Sequence, residues 1–207
     1  MRIVRWLIAI AIIAAVCWLF PLFHVVRLKA ERAAAAFNAT DFAETFWTNK
    51  LLPSIDKAVN AGTLVADIQS DPATAKKKYS RGVGLSDSYF YFVTGTGRVM
   101  AVSEDAISLA ITDKATNAEV ALQAGLIFGD AIRDGTGMLD ASAYPNSQDF
   151  NDISAALNHI VETRVLPELR ERARIGTTIS FTGCAEVDDE SSDLKPLKIV
   201  PIQTKSP

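Results

Sequence analysis

Cysteine and histidine are scarce in this chain. Two of each occur among 207 residues. Only Cys184 and His159 lie beyond the first 26 positions. That excludes an internal disulfide framework and a cysteine–histidine metal centre in the body of the chain. Cys184 falls in the strand-like run TISFTGCAEV and reads as a small buried hydrophobe. His159 stands mid-pattern beside Ile160 and reads as a partly exposed helix residue, not a ligand or base. The nucleophile elbow GxSxG, the zinc-protease signature HExxH and the phosphate-binding P-loop are all missing. Nothing in the residue inventory calls for a cofactor or a metal.

Clustered positive charge is lacking too. The one basic run is Lys76–Lys78, the length of an ordinary solvated helix end. The chain has 21 basic and 24 acidic residues. Five of the basic residues (Arg2, Arg5, Arg27, Lys29, Arg32) and Glu31 lie within the first 32 positions. That leaves 16 basic against 23 acidic residues, a balance near −7, in the remainder. Such a surface disfavours nucleic acid and anionic lipid as partners.

What is present begins with grease. Trp6–Val26 is 21 residues long and carries only His24 as a titratable polar group. A helix of about 20 residues crosses the roughly 30 Å hydrocarbon core of a bilayer. Trp6 and Trp18 suit the interfaces, and Pro21 kinks or ends the helix. Three fates compete for this segment. A cleaved signal needs a small-x-small site, yet Trp18, Leu19 and Phe20 follow the small residues directly. Acylation at Cys17 wants a small residue before it, where Val16 is branched. An uncleaved anchor fits best. The basic residues flanking the span do not decide its orientation. A short basic head before a long domain has the form of an export signal. The expectation is therefore a single-pass inner-membrane protein held through residues 6–26, with its soluble part in the periplasm.

The soluble part is long enough for one ordinary domain, and its hydrophobic content of 49% supports a core. The predicted organisation is a span over 1–26, a stalk over 27–40, a helical segment over 41–80, and a β-rich module over 81–207. In the helical segment, Thr40 or Asp41 is the expected cap, with Glu44 placed as in a capping box. Pro53 divides two helical pieces, and Gly62 ends the second. A short helix follows over 63–69, and another starts at Pro72.

Beyond Tyr79 the period changes to that of strands, expected at 88–94, 97–103, 106–112 and 118–126. Phe150, Ile153, Leu157, Ile160, Val161, Val165 and Leu169 form one helical stripe, with Pro167 kinking its last turn. Strands at 177–187 and 196–203 close the chain, joined by the acidic loop DDESSD. Counting 88–103 as one strand bent at Gly95 and Gly97 gives three strands, a long helix, and two strands. The fold class is then α+β, with an OB-like β-barrel and the helix between its third and fourth strands. An open α+β sandwich is the alternative.

The polar stretch from Ala131 to Asp152 holds the candidate site. Asp130, Arg133, Asp134, Gln148, Asp149 and Asn151, with Tyr144 nearby, supply the planar polar groups and aromatic ring that sugar recognition uses. A plainer reading accounts for most of them. The Asp-Gly and Thr-Gly pairs of RDGTG favour turns that need positive φ, and Ser147 or Asp149 caps the following helix. Paired acids such as Asp130 with Asp134, or Asp149 with Asp152, are what a glycosidase needs. Any acidic surface also offers such pairs. Deep converging carboxylates would indicate an enzyme. A shallow face with exposed Tyr, Phe or Leu near 126–150 would indicate a binding protein.

Five runs in order carry a resemblance: FAETFWTNKLLPSI, KKYSRGVGLSDSYFYFVTGTGRVMAV, GDAIRDGTG, NSQDFNDISAALN and FTGCAEV. Together they resemble a bacterial family called domain of unknown function 2291, described as predicted periplasmic lipoproteins, over roughly residues 22–204. Many members carry an acylated cysteine just before a segment like HVVRL, and Phe23 holds that place here. The family implies no activity. Its members are often encoded beside sugar ABC transporter genes, so the resemblance implies a place near carbohydrate uptake. The expected function is a membrane-anchored, non-enzymatic accessory or binding protein, touching sugar ABC transporter components or a small carbohydrate. The alternative is a hydrolase of envelope carbohydrate.

Overall fold

Asn38 opens the first described helix, α1 (Ala39–Phe46). Its side-chain oxygen accepts from the amides of Thr40 (3.1 Å) and Asp41 (3.2 Å), and its amide donates to Asp41 Oδ2 at 2.7 Å. The cap therefore stands ahead of the expected Thr40 or Asp41. Glu44 closes no capping box, because its carboxylate pairs with Arg164 instead. The computed structural model describes Trp6 and residues 37–83, 87–140 and 146–205. Apart from Trp6, the expected span over 6–26 lies outside the described residues, as do the stalk as far as residue 36 and Tyr144. No helix among the described residues is long and apolar enough to cross a membrane. Residues 1–37 and 38–207 are separate units, and the second is the one described below.

Two prolines shape the helices in the same way. A π-helical turn, Trp47–Leu51, continues α1, and a 3₁₀ segment, Leu52–Lys57, follows with Pro53 in its first turn. Later, α5 (Ser147–Ile160) widens into a π turn, Val161–Val165, before α6 (Leu166–Arg172) with Pro167 in its first turn. In each case the amide just after the π turn reaches five residues back, Leu52 to Trp47 O and Leu166 to Val161 O. A proline ring crowds the carbonyl four residues before it and offers no N–H. One wide turn ahead of the ring relieves that crowding while the chain remains helical. Two helical pieces meet at Leu52, as Pro53 led one to expect, while Pro167 opens α6 where a kinked last turn was expected.

Two short helices follow the 3₁₀ segment, α2 (Ala61–Ser70) and α3 (Pro72–Tyr79). Asn60 caps α2 through Thr63 N, so Gly62 lies in the first turn of α2 and ends nothing. Asp71 caps α3 through the amides of Ala73 and Thr74.

The strands are β1 (Val59–Asn60), β2 (Arg81–Gly82), β3 (Tyr89–Val102), β4 (Ala106–Ala110), β5 (Val120–Gln123), β6 (Thr178–Val187) and β7 (Leu197–Lys205). The two predicted strands at 88–94 and 97–103 are one, β3. Its first ten residues pair antiparallel with β6, from Tyr89 opposite Val187 to Arg98 opposite Thr178. Arg98, Val99, Ala101 and Val102 pair with β4, with a shift of register between Val99 and Ala101. Gly95 and Gly97, both within the stretch paired with β6, need to be glycine for space. A Cβ on Gly95 would stand 2.6 Å from Ala61 Cβ, and one on Gly97 would stand 2.9 Å from Ile111 Cδ1. Neither glycine makes a turn.

Pairing continues β3–β4–β5–β7–β6 and returns to β3, so these five strands form a closed ring. Such closure leaves those strands no free edge to template association. The two short strands β1 and β2 flank β3. The predicted acidic loop before β7 holds a one-turn helix, α7 (Glu190–Asp193).

The ring and the helices share one core. The predicted stripe on α5, the π turn and α6 is buried from Ile153 to Leu169, with Phe150 packed at its margin. Each fully buried Leu or Ile contributes about 1.5–3 kcal/mol, so this stripe is a main attachment of helix to sheet. Cys184 sits on β6 with its thiol enclosed, and burial pushes its pKa up. The remaining element is a single turn, α4 (Ala131–Asp134), between β5 and α5.

Candidate functional site

The predicted polar stretch divides into a buried knot and a solvated rim. Arg133 and Asp134 are only 5% and 3% exposed. The Arg133 guanidinium grips its neighbour by two bonds, Nε to Oδ1 at 2.8 Å and Nη2 to Oδ2 at 2.7 Å. Nη2 also lies 2.9 Å from Asp130 Oδ2. The plane of the guanidinium covers the Phe150 ring, with Cζ 3.8 Å from its centroid. Two carboxylates and an aromatic face thus occupy the arginine, a packing that suits its flat, delocalised charge.

Asp130 is held from three other directions. Its Oδ1 accepts from Ser154 Oγ at 2.8 Å, its amide donates to Glu186 Oε2 at 3.1 Å, and Asn158 Nδ2 donates to the preceding Gly129 carbonyl at 3.1 Å. Gly129 has φ +84°, where a side chain is strained, and a Cβ there would meet Glu186 Oε2 at 2.6 Å. Glu186 is half-buried. Desolvation holds its pKa above the usual carboxylate value, the Asp130 amide opposes that, and Asp188, Asp130 and Asp134 add repulsion.

The turn RDGTG departs from expectation at Gly135. Its φ is −60°, open to any residue. Glycine is required there for close approach, since a Cβ would lie 2.5 Å from Cys184 Sγ and 2.4 Å from the Ala131 carbonyl. Only Gly137 takes positive φ, at +65°, and the Arg81 side chain packs where its Cβ would be.

Gln148, Asp149 and Asn151 stand on the first turns of α5, away from the knot. Asn146, which neither predicted cap anticipated, caps the helix through Gln148 N at 2.9 Å and donates to Asp149 Oδ1 at 3.3 Å. Gln148 donates to Asp152 Oδ1 at 2.8 Å. Asn151 is exposed. Among the described residues, no group of three His, Cys, Asp or Glu side chains is arranged to hold a metal ion.

The sequence left open whether Leu or Phe near 126–150 is exposed, and it placed Leu126 in a strand that ends instead at Gln123. The segment after β5, Ala124 to Asp130, carries Leu126 and Phe128, 74% and 76% exposed, on either side of buried Ile127. They line an open cleft of about 500 Å³ between this segment, the β3–β4 turn, the π turn and α6, together with Glu104, Asp105, Glu162, Leu166 and Arg170. Glu162 Oε1 accepts from Ile127 N at 2.9 Å, and the Arg170 guanidinium donates to the Ala124 carbonyl. A glycine-bracketed apolar triplet, GLIFG, was the available signal. Its apolar character suggested a longer β5 instead.

The fold has a solved counterpart. A crystal structure of an OB-fold protein from Thermotoga maritima superposes with a TM-score of 0.72, covering 82% of this chain and 98% of that one at 22% sequence identity. At that identity the likeness speaks for the fold alone. It agrees with the strand order read from the sequence. No curated protein matches the chain. The sequence profile of the predicted periplasmic lipoproteins, DUF2291, matches residues 7–205, in agreement with the resemblance carried by the five runs. That family description places its members in the periplasm in association with a membrane. The chain belongs to the DUF2291 family of predicted periplasmic lipoproteins.

Proposed function

We propose that this protein binds a partner at the periplasmic side of the membrane and catalyses nothing. The observation that carries this reading is the exposure of Leu126 and Phe128 together on one loop beside a cleft, whereas Ile175, Val102 and Phe37 are exposed singly. The residues first suspected of sugar binding support it from the other side. Arg133 and Asp134 are engaged with each other and with Asp130 and Phe150, so their polar atoms serve the fold. Gln148, Asp149 and Asn151, with the partly exposed Asp130, remain as the rim that a small carbohydrate would meet, and Tyr144 lies outside the described residues.

Residues 6–26 are the proposed anchor. Phe23 stands where many relatives carry an acylated cysteine, and an apolar helix holds more firmly than one acyl chain. The partner class proposed is a sugar ABC transporter component, on the strength of the family resemblance.

The test is recovery of the full chain from native membranes, with and without added sugars. A transporter component that co-purifies in stoichiometric amount supports the reading. Recovery of the chain alone under both conditions overturns it.

One observation favours the hydrolase alternative: Glu104, Asp105 and Glu162 line the same cleft. Release of reducing ends from envelope glycan by the full chain, lost in Glu162→Gln, would establish that alternative.

A further inference from the structure

The loop bearing Leu126 and Phe128 is braced along its length. Ala124 N and Gly125 N both donate to the Asp105 carbonyl, at 2.8 and 3.2 Å. The Arg170 guanidinium holds the Ala124 carbonyl, and Glu162 holds Ile127 N. Asn158 holds the Gly129 carbonyl, and Glu186 holds Asp130 N. Ile127 is buried in the core between the two exposed neighbours. Turning Leu126 or Phe128 inward would expel Ile127 and break several of these bonds. Their exposure is therefore built into the loop, and an exposed apolar pair of this kind marks a contact surface.

The charges beside the pair decide what covers it. Glu104, Asp105 and Glu162 face the cleft, and Arg170, the one cation among its lining residues, is already engaged with the Ala124 carbonyl. An anionic lipid surface would be repelled here, while a protein surface with Lys or Arg beside aliphatic side chains would be complementary. We infer that this face docks a basic, apolar segment of a protein partner, with Leu126 and Phe128 as its anchors and Glu104 and Asp105 meeting the cations. Aromatic side chains such as Phe128 are enriched at such contacts, and complementary charge around them sets the choice of partner. The inference rests on the non-catalytic reading above and adds the partner's chemistry to it.

The experiment uses the full chain in zwitterionic nanodiscs, with empty discs as the blank, and three labelled synthetic helical peptides read by fluorescence anisotropy. One peptide is built of Lys and Leu, one of Glu and Leu, one of Lys and Ser. The Lys/Leu peptide is expected to bind at least tenfold tighter than the other two. It should weaken at least tenfold in the L126S/F128S and E104Q/D105N variants, and weaken again in 0.5 M salt, where the Debye length is only about 4 Å.

Equal binding of the Glu/Leu peptide, no binding, or affinity unchanged in both variants overturns the inference. So does attachment of the chain to anionic vesicles that disappears in L126S/F128S, which would make the loop a lipid contact. An L126S/F128S chain that still retains the transporter component recovered by the native protein sinks the docking face and leaves the accessory role standing. Failure of the native chain to retain any such component sinks the accessory role itself.

Discussion

Arg133 and Asp134, adjacent in sequence, form a buried two-pronged ion pair, with Nε 2.8 Å from Oδ1 and Nη2 2.7 Å from Oδ2. Neighbouring residues seldom face one another in a helix. Here the single turn of α4 lets the guanidinium fold back across its own neighbour and onto Phe150.

Arg133→Ala leaves the Asp134 carboxylate buried without its cation, and removing one partner of a buried pair costs about 3–5 kcal/mol. The urea midpoint should fall accordingly. The double substitution Arg133→Met with Asp134→Leu should recover much of that loss, because the carboxylate then left without its cation, Asp130, is partly exposed. A single variant as stable as the native protein would mean that the pair does not hold α4 in place.

Glu186 predicts a pH dependence of its own. Its folded pKa is raised above the ordinary 4.5, first by desolvation. The folded state therefore holds its proton to higher pH than the unfolded state does. Its contribution to stability is present below the unfolded pKa and is lost as pH rises through the folded value. Glu186→Gln keeps an acceptor for Asp130 N and removes that loss. The difference in urea midpoint, variant minus native, should grow in the variant's favour upward from about pH 4.5. A flat difference would show that the carboxyl is free to ionise.

Asp193 works in the opposite direction. Burial acts to raise its pKa, but the Asp189 amide, Lys198, the Asp188 amide and Ser192 outweigh it and press the pKa down to about 2. A carboxylate stabilised in this way supports the fold above its unfolded pKa near 3.8 and loses that support as pH falls towards 2. Asp193→Asn should cost about 1–2 kcal/mol at pH 7, allowing for solvent screening, and should flatten the acid limb of the stability curve. Thermal melts of both proteins between pH 2 and pH 7 read this directly.

Gly135→Ala tests close approach rather than backbone conformation. The added methyl meets Cys184 Sγ at 2.5 Å and the Ala131 carbonyl at 2.4 Å. Overpacking of this kind costs about 1–3 kcal/mol. Cys184→Ala should recover only part of that loss, because the carbonyl contact remains. Full recovery would place the whole strain on the thiol.

Much of the architecture could be read from local pattern. The stripe from Ile153 to Leu169 repeats at helical spacing and is buried as a unit. The order of three strands, helix and two strands agrees with an OB-fold neighbour, and the single strand expected over 88–103 is β3, continuous through Gly95 and Gly97. The quoted runs were enough for the family. The candidate site was less legible. Its polar inventory was visible, but the partners that occupy it, Ser154, Asn158 and Glu186, come from α5 and β6 and carry no local mark of that role.

Side-chain periodicity reports which face of an element is apolar, because helix and strand geometry set it within a few residues. That suffices for element type, core stripe and greasy leader. Whether a polar group is consumed or free depends on what lies across from it after folding, 56 residues away for Asp130 and Glu186. Whether an apolar group is covered depends on the same assembly. Leu126, Ile127 and Phe128 are alike in hydrophobicity, yet only Ile127 is covered, because braces from three distant elements fix the loop that carries them.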